Sequence, residues 1–488
     1  MRRRTFFSVS VVGLAAAGTC SLWKREPEPP LELVSLSAQQ SRQYVPAEVG
    51  TELWAVLRIE VDEGPTEDRP PVHVGLVIDT SGSMDGEAIE AARCAAAELI
   101  ESLQDGDRLT VVTFDSKAEL VVENVEIDDD SREESLEKVA EISAGGTTDL
   151  AAGLHAAIED LRPHVVQGRV TRLLLLSDGV PNDASTIPSA VAQASSMGIT
   201  VTALGFGLDY DEALLADIAQ QTGGTFHFLE EPEALVPLFR EENLRLQGIA
   251  AQEIVLGLTT GPNVELMEVV GQSFSLPQPR LFMGLGDLSR GQERVVVVRL
   301  RVGPHRAGAN VALLGALLTY RDPRSGQSIE RDVFLSARAE SDAALLAESL
   351  DPAIEREIES AKAAARTLQA VSLYRNGSSE RAQAVLQKAI PAAAASSGRL
   401  GDSRIKDQMA DMVQLADAIE AEEEVFARPE PEADPEPEQE LEQPDMFNPY
   451  HAPAKLRSKS TAGKRALRQA HGNAMSNFQA RPNSVAKK

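Results

Sequence analysis

Cysteine is nearly absent. Two residues in 488, Cys20 and Cys94, cannot build a disulfide framework. Cys94 lies in Ala92-Arg93-Cys94-Ala95, within a helical pattern, and is expected as a buried small hydrophobe. Aromatics are only 4% of the chain, so Leu, Val, Ala and Ile must fill the core. Positive charge is scarce as well: 47 Lys and Arg stand against 75 Asp and Glu, a net charge of −28. That balance argues against nucleic acid as the main partner and suits divalent cations. Long apolar runs are missing too. Phe6 to Ala17 is too short to span a bilayer comfortably; after the basic Met1-Arg2-Arg3-Arg4 it reads, with residues up to 20, as an export signal.

What is present begins with that N-terminus. Arg3-Arg4-Thr5-Phe6-Phe7 resembles a twin-arginine signal, which exports folded proteins from the bacterial cytoplasm. Ala17-Gly18-Thr19-Cys20 resembles a lipobox, with Cys20 as the lipidated residue. Ala at −3 and Thr at −1 depart from the usual pattern, and ordinary cleavage after Ala15-Ala16-Ala17 or a retained anchor is the alternative. Each reading places the bulk of the chain outside the cytoplasm, as a periplasmic protein or an envelope lipoprotein. Residues 21–30, with Glu26-Pro27-Glu28-Pro29-Pro30, form a stiff linker.

Residues 71–246 alternate strand and helix, which argues for an α/β fold with a doubly wound, Rossmann-like, mostly parallel sheet. Ala118–Val125 follows a short turn, Asp115-Ser116-Lys117, and is expected as an antiparallel edge strand. Antiparallel strands flank this unit. Leu53, Ala55, Leu57, Ile59 and Val61 share one strand face within 31–70, and 247–341 reads as further strands, so the two flanks together predict a β-sandwich with the α/β unit inserted in it. Residues 342–427 predict a helical hairpin broken at Asn376-Gly377-Ser378-Ser379, with a third run after Ser396-Ser397-Gly398. An acidic Pro/Glu linker, 428–445, follows. Residues 446–488 carry no Asp or Glu and are expected as a basic disordered tail, able to bind an anionic envelope surface.

Three stretches of the α/β unit carry chemistry. Asp79-Thr80-Ser81-Gly82-Ser83 ends the apolar run Val72–Ile78. Gly145-Gly146-Thr147-Thr148-Asp149 is a glycine turn before a helix. Leu173–Leu176 leads into Ser177-Asp178-Gly179. Each loop follows or faces a strand end, where open α/β sheets place ligands, and carboxylate plus hydroxyl oxygens suit a hard cation. The bland alternatives are helix N-caps for the serines and a plain turn for Asp178-Gly179.

The D-x-S-x-S sequence, the downstream Thr and the later Asp resemble the metal-ion-dependent adhesion site (MIDAS) of von Willebrand factor type A domains. The resemblance implies Asp79, Ser81, Ser83, Thr147 and Asp178 as ligands of Mg²⁺, or of Mn²⁺ or Ca²⁺. Family members often have Asn where Thr148 stands. The resemblance further implies a non-enzymatic binding protein whose metal takes a carboxylate from a protein partner. The flanking strands resemble those of bacterial secreted or lipid-anchored members, and of calcium-activated chloride-channel-like and inter-alpha-inhibitor-like proteins. Asp209, Asp211 and Glu212 are expected as a helix start, with a ligand role as the alternative. The rival readings are a metal-dependent hydrolase using His73 or His155 as base, and a scaffold whose metal is only structural.

Overall fold

The computed structural model describes residues 33–63, 69–166, 169–207, 210–272, 274, 277–346, 351–426 and 461–482. Cys20, the export signal, both Pro/Glu-rich linkers and Asp209 lie outside the described residues.

The chain opens with β1 (Val34–Gln40), β2 (Tyr44–Pro46) and β3 (Thr51–Val61). In β3 the alternation Leu53, Ala55, Leu57, Ile59, Val61 is fully buried, as period-two patterning requires. The α/β unit follows: β4 (Val72–Asp79), α1 (Glu87–Ser102), β5 (Arg108–Phe114), β6 (Ala118–Glu126), α2 (Asp129–Ala140), α3 (Leu150–Leu161), β7 (Val170–Ser177), α4 (Ile187–Ser196), β8 (Thr200–Phe206), α5 (Glu212–Gln221), β9 (Phe226–Leu229) and α6 (Leu235–Gln247). Its sheet runs β6-β5-β4-β7-β8-β9. All neighbours are parallel except β5 and β6. Helices cover both faces, which explains the unbroken apolar runs. Leu174 and Leu176 enter one core with α1 and α6, while Leu173 and Leu175 enter the other with α3, α4 and α5.

The chain then returns to strands: β10 (Ile249–Thr260), β11 (Val264–Val269), β12 (Arg280–Ser289), β13 (Gln292–Val302), β14 (Asn310–Arg321) and β15 (Ser328–Glu340). One sheet is β1-β3-β13-β11, the other β12-β10-β14-β15-β2. Because β3 pairs with β13 from Glu60↔Glu293 to Thr51↔Val302, the α/β unit is an insertion into the sandwich. One shared core fills the space between the sheets. β12 has no counterpart in the sequence reading.

The short α7 (Ala343–Leu346) precedes α8 (Pro352–Arg375), α9 (Ser379–Leu400) and α10 (Ser403–Phe426). Asp351 caps α8 by accepting from Ala353 N, and Pro352 occupies the first helical position, where its missing N–H costs nothing. The expected hairpin is there as α8 and α9, but α9 runs through Ser396-Ser397-Gly398 and stops at Gly401, a left-handed C-cap at φ 64°, a conformation glycine takes without a Cβ penalty. Ile354, Ile358 and Ala361 of α8 pack on Val56, Val270 and Val297, the outer face of the first sandwich sheet.

Two expectations are corrected. Thr461–Ser476 of the basic tail is a helix, α11, and Arg481–Pro482 is a short strand, β16, paired with β13. Leu467 and Ala470 join the helical core with Val371, Leu386, Met412 and Ile419, so this stretch has tertiary partners that a charge count cannot show. Cys94 is exposed, not buried. The buried stripe of α1 runs through Ile89, Ala92, Ala96 and Leu99, and Cys94 falls about 200° around the helix from Ala92.

Candidate metal centre

β4 and β7 lie side by side at the middle of the sheet; β4 ends in a carboxylate and β7 leads directly into one. Asp79 closes β4 and is fully buried; Ser177 closes β7, with Asp178 next in chain. Ser177 Oγ donates to Asp79 Oδ2 at 2.7 Å, and the Ser81 N–H donates to Asp79 Oδ1 at 2.9 Å. Ser81 Oγ and Ser83 Oγ are 3.1 Å apart, and Ser83 Oγ donates to Asp178 Oδ1 at 2.7 Å. Asp79, Ser81, Ser83 and Asp178 therefore form one continuous hydrogen-bonded chain, entered at Asp79 through the Ser81 N–H and continued by the two hydroxyls. Ser83 is its exposed member, while Asp178 is 8% exposed.

Thr147 reaches the same edge by backbone ties. Gly145 N donates to Thr80 O at 2.7 Å, and Gly82 N donates to Gly146 O at 3.1 Å. These bonds stitch the glycine turn to the D-x-S-x-S loop. Gly146 takes φ 83°, and a Cβ there would lie 2.8 Å from Asp115 Oδ2, so glycine is required on both counts. The Thr147 hydroxyl itself donates to Ser116 Oγ at 3.2 Å, and its N–H donates to the same oxygen at 3.1 Å. Four of the five expected residues are thus directly bonded, and the fifth sits on a loop tied to them.

The two carboxylates share an electrostatic problem. Burial raises Asp79 above the ordinary Asp range, against hydrogen bonds from Ser81 and Ser177. Burial pushes Asp178 up to about 6, opposed by the Ser83 hydrogen bond and reinforced by the nearby Asp79 charge. Two buried acids side by side with hydroxyls between them form an under-compensated oxygen nest. A hard divalent cation answers that deficit, and all of the donor atoms are of the type it takes. Among the described residues no three His, Cys, Asp or Glu side chains converge as a metal cage; here hydroxyls supply the majority of the donors.

Sequence reasoning missed two residues. Ser177 was visible beside Asp178 and orients Asp79. Ser116, read only as part of a turn, holds Thr147. Asp211 and Glu212 do start a helix, Asp211 accepting from Leu214 N at 3.1 Å. His73 lies at the opposite end of β4, six residues or about 20 Å from Asp79, with Nε2 3.2 Å from Thr110 Oγ1. His155 lies on α3, beyond its capping Asp149.

A doubly wound sheet with a carboxylate and hydroxyl cluster at the carboxyl ends of its two central strands is the architecture of von Willebrand factor type A domains. The model of that family matches residues 73–241, so the inserted unit is a von Willebrand factor type A domain. The chain is 31% identical over 276 residues to an uncharacterized protein of Synechocystis sp., covering 53% of this chain and 64% of that one. It is 32% identical over 169 residues to inter-alpha-trypsin inhibitor heavy chain H4 of Sus scrofa, covering 32% of this chain and 18% of that one. The chain thus spans less than two thirds of the length of these relatives. A solved von Willebrand factor type A structure from Catenulispora acidiphila superposes with a TM-score of 0.62 at 20% identity, covering 77% of this chain and 89% of that one. At that identity the likeness concerns fold alone, but its coverage exceeds the inserted domain and takes in flanking structure.

Proposed function

We propose that this is an extracytoplasmic binding protein that holds Mg²⁺, Mn²⁺ or Ca²⁺ on Asp79, Ser81, Ser83, Thr147 and Asp178 and engages an acidic side chain of a protein partner there. The observation that carries the reading is the hydrogen-bonded run Asp79–Ser81–Ser83–Asp178 at the strand ends, which gathers two carboxylates and two hydroxyls. The bound cation would supply an open coordination position with residual positive charge, which a carboxylate can fill. Asp79 supplies buried negative charge, Ser177 fixes its orientation, and the exposed Ser83 stands where a partner would approach. The family supports an interaction role and, commonly, dependence on metal. Placement outside the cytoplasm rests on Arg3-Arg4, the Phe6–Ala17 run and Cys20.

The hydrolase reading has no comparable support, because His73 is spent on Thr110 at the far end of its strand. The surface-binding reading of the basic tail is narrowed, since Arg465, Arg468 and Arg481 pair with Glu230, Glu212, Glu293 and Glu357.

The test compares wild type with Asp79→Ala. Mg²⁺ at about 100 times its dissociation constant should stabilise wild type by about 2.7 kcal/mol and leave the variant's melting temperature unmoved. The metal-free variant should still melt cooperatively, since relief of a buried carboxylate offsets the loss of its bonds from Ser177 and Ser81. A protein partner should be retained by wild type in Mg²⁺, and lost in EDTA or with Asp79→Ala. Equal retention by the variant would refute the proposal.

A further inference from the structure

The C-terminal segment 461–482 lies in a seat built by three parts of the molecule. Arg468, 3% exposed, pairs with Glu212 at 3.1 Å, donates to Tyr210 O at 2.8 Å and stands 4.1 Å over the Tyr210 ring. His471 packs against the same glutamate. Gln469 and Asn473 donate to the two oxygens of Asp411 at 3.2 and 2.9 Å. Arg481 reaches Glu293 at 2.9 Å and Glu357 at 2.8 Å. One short stretch thereby touches the von Willebrand factor domain, the helical bundle and the sandwich. It also covers the outer edge strand of the α/β sheet, with Gly472 against Phe228 and Gln479 on Phe226 O. That edge would otherwise be open to pairing.

Two features set this seat apart from ordinary core packing. First, the segment's apolar contacts are few: beyond α11 they are the half-buried Phe478, on the cluster of Val56, Val270 and Val297, and Ala480, on the sandwich core. The hydrophobic side chains that α11 buries are Leu467 and three alanines, Ala466, Ala470 and Ala474. One leucine, three alanines and a half-buried phenylalanine offset only part of the entropy of ordering the segment, so charge matching and hydrogen bonds supply much of the docking. Second, the body keeps internal partners for most of the acids it presents. Glu212 also pairs with Arg375, Glu293 with Arg58, and Glu357 with Arg58 and Arg404. In the helical core, ten of the twelve buried residues, among them Tyr374, Leu386, Met412, Leu415 and Ile419, come from α8, α9 and α10, and α11 adds Leu467 and Ala470 at its side. An empty seat therefore leaves no fully orphaned glutamate among these three.

We propose that the seat is an exchangeable helix-binding site, which residues 461–482 leave and re-enter as a unit while the rest of the chain stays folded. Its recognition rule follows from the contacts. It takes a basic helix with small residues at four-residue spacing, as at Ala466, Ala470 and Ala474, and a guanidinium at the position of Arg468.

The experiment uses the full chain with a protease site introduced between residues 427 and 460. After cleavage, the C-terminal piece should co-elute with the body at about 0.05 M NaCl and separate at about 0.5 M, where the Debye length falls to a few ångströms. The stripped body should keep its circular dichroism and a cooperative melt. A labelled 461–482 peptide should rebind, roughly tenfold more weakly at the higher salt. The same peptide with Arg468→Gln should bind about tenfold more weakly than the natural one, the loss expected for one charged hydrogen bond. A body that unfolds on stripping, or a piece that leaves only under denaturant, would show the segment to be integral and overturn the proposal. Failure of the peptide to rebind, or equal binding of the Arg468→Gln peptide, would overturn it as well. None of these readouts involves metal, so the outcome is independent of the adhesion-site reading.

Discussion

Arg172 is a buried charge at the contact between the inserted domain and the sandwich. It stands near the start of β7, at the opposite end of the sheet from the oxygen cluster, and reaches Asp287 at 3.3 Å and Glu242 at 3.7 Å. Asp287 also accepts from Thr200 Oγ1 at 3.2 Å and from Glu253 N at 3.1 Å. Removing one partner of a buried ion pair costs about 3–5 kcal/mol, because a desolvated charge is left behind. Arg172→Met should therefore lower the unfolding free energy measured by urea denaturation by that order. Pairing it with Asp287→Leu should recover most of the loss, since an apolar pair of similar size replaces a buried ion pair at little cost. Loss in the double variant equal to or greater than in the single one would show that Asp287 is not the group being orphaned. Residues of this kind were invisible in the sequence, where Arg172 and Asp287 sit 115 positions apart. Asp79, Ser81, Ser83 and Asp178 were legible, because a strand end followed by oxygen-bearing side chains is a local pattern.

Elements were legible where their own side chains decide the outcome. The alternation in β3 and the four leucines of β7 declare one buried face and two buried faces respectively. β12 escaped notice because its outer face carries Phe282, 66% exposed, and Gly284, so the polar half of the alternation is missing. The tail helix escaped because its partners are acids on distant elements. Glycine within an element tells a similar story. Gly153 lies inside α3, where glycine ordinarily costs about 1 kcal/mol relative to alanine. A Cβ there would lie 2.6 Å from the Phe114 ring. Phe114 directly precedes Asp115 and Ser116, the residues that brace the Gly146-Thr147 loop. Gly153→Ala should therefore destabilise by about 1–3 kcal/mol, as overpacking does, instead of gaining helix stability. It should also weaken Mg²⁺ binding measured by calorimetry. A stabilised variant with unchanged binding would mean that α3 can shift away from β5 freely.

At the scale of the whole molecule, two glutamates, the buried Glu212 and the half-buried Glu357, tie modules together, a third, Glu242, backs the joint from inside the α/β domain, and all respond to acid in one direction. Glu212 joins the α/β domain to α8 and the C-terminal helix, Glu357 joins the bundle to both sandwich and tail, and Glu242 ties α6 to β7 and β9 inside the α/β domain beneath the Arg172–Asp287 contact with the sandwich. Burial alone would raise each of them. Instead His227, Arg245 and Arg172 bring Glu242 down to about 2, Arg375, His471 and Arg468 do the same for Glu212, and Arg481 and Arg404 for Glu357. In the unfolded chain such groups titrate near about 4.3. Depressed carboxylates contribute stability that is fully present above that value and is lost as pH falls through the folded one. Each accounts for on the order of 3 kcal/mol, so the joints weaken together between about pH 4.5 and pH 2. The inner cores, made of Val, Leu, Ile and Ala on both faces of the sheet and between the sandwich layers, carry no such dependence. Buried Asp287, raised by its burial, runs the opposite way but sits within the same Arg172 network and offsets only part of the loss. Acid should therefore part the modules before it melts them. Small-angle scattering should show the radius of gyration growing between pH 4.5 and pH 3 while far-ultraviolet circular dichroism is retained. Scattering and dichroism that change together in one transition would mean that the junctions do not yield ahead of the cores.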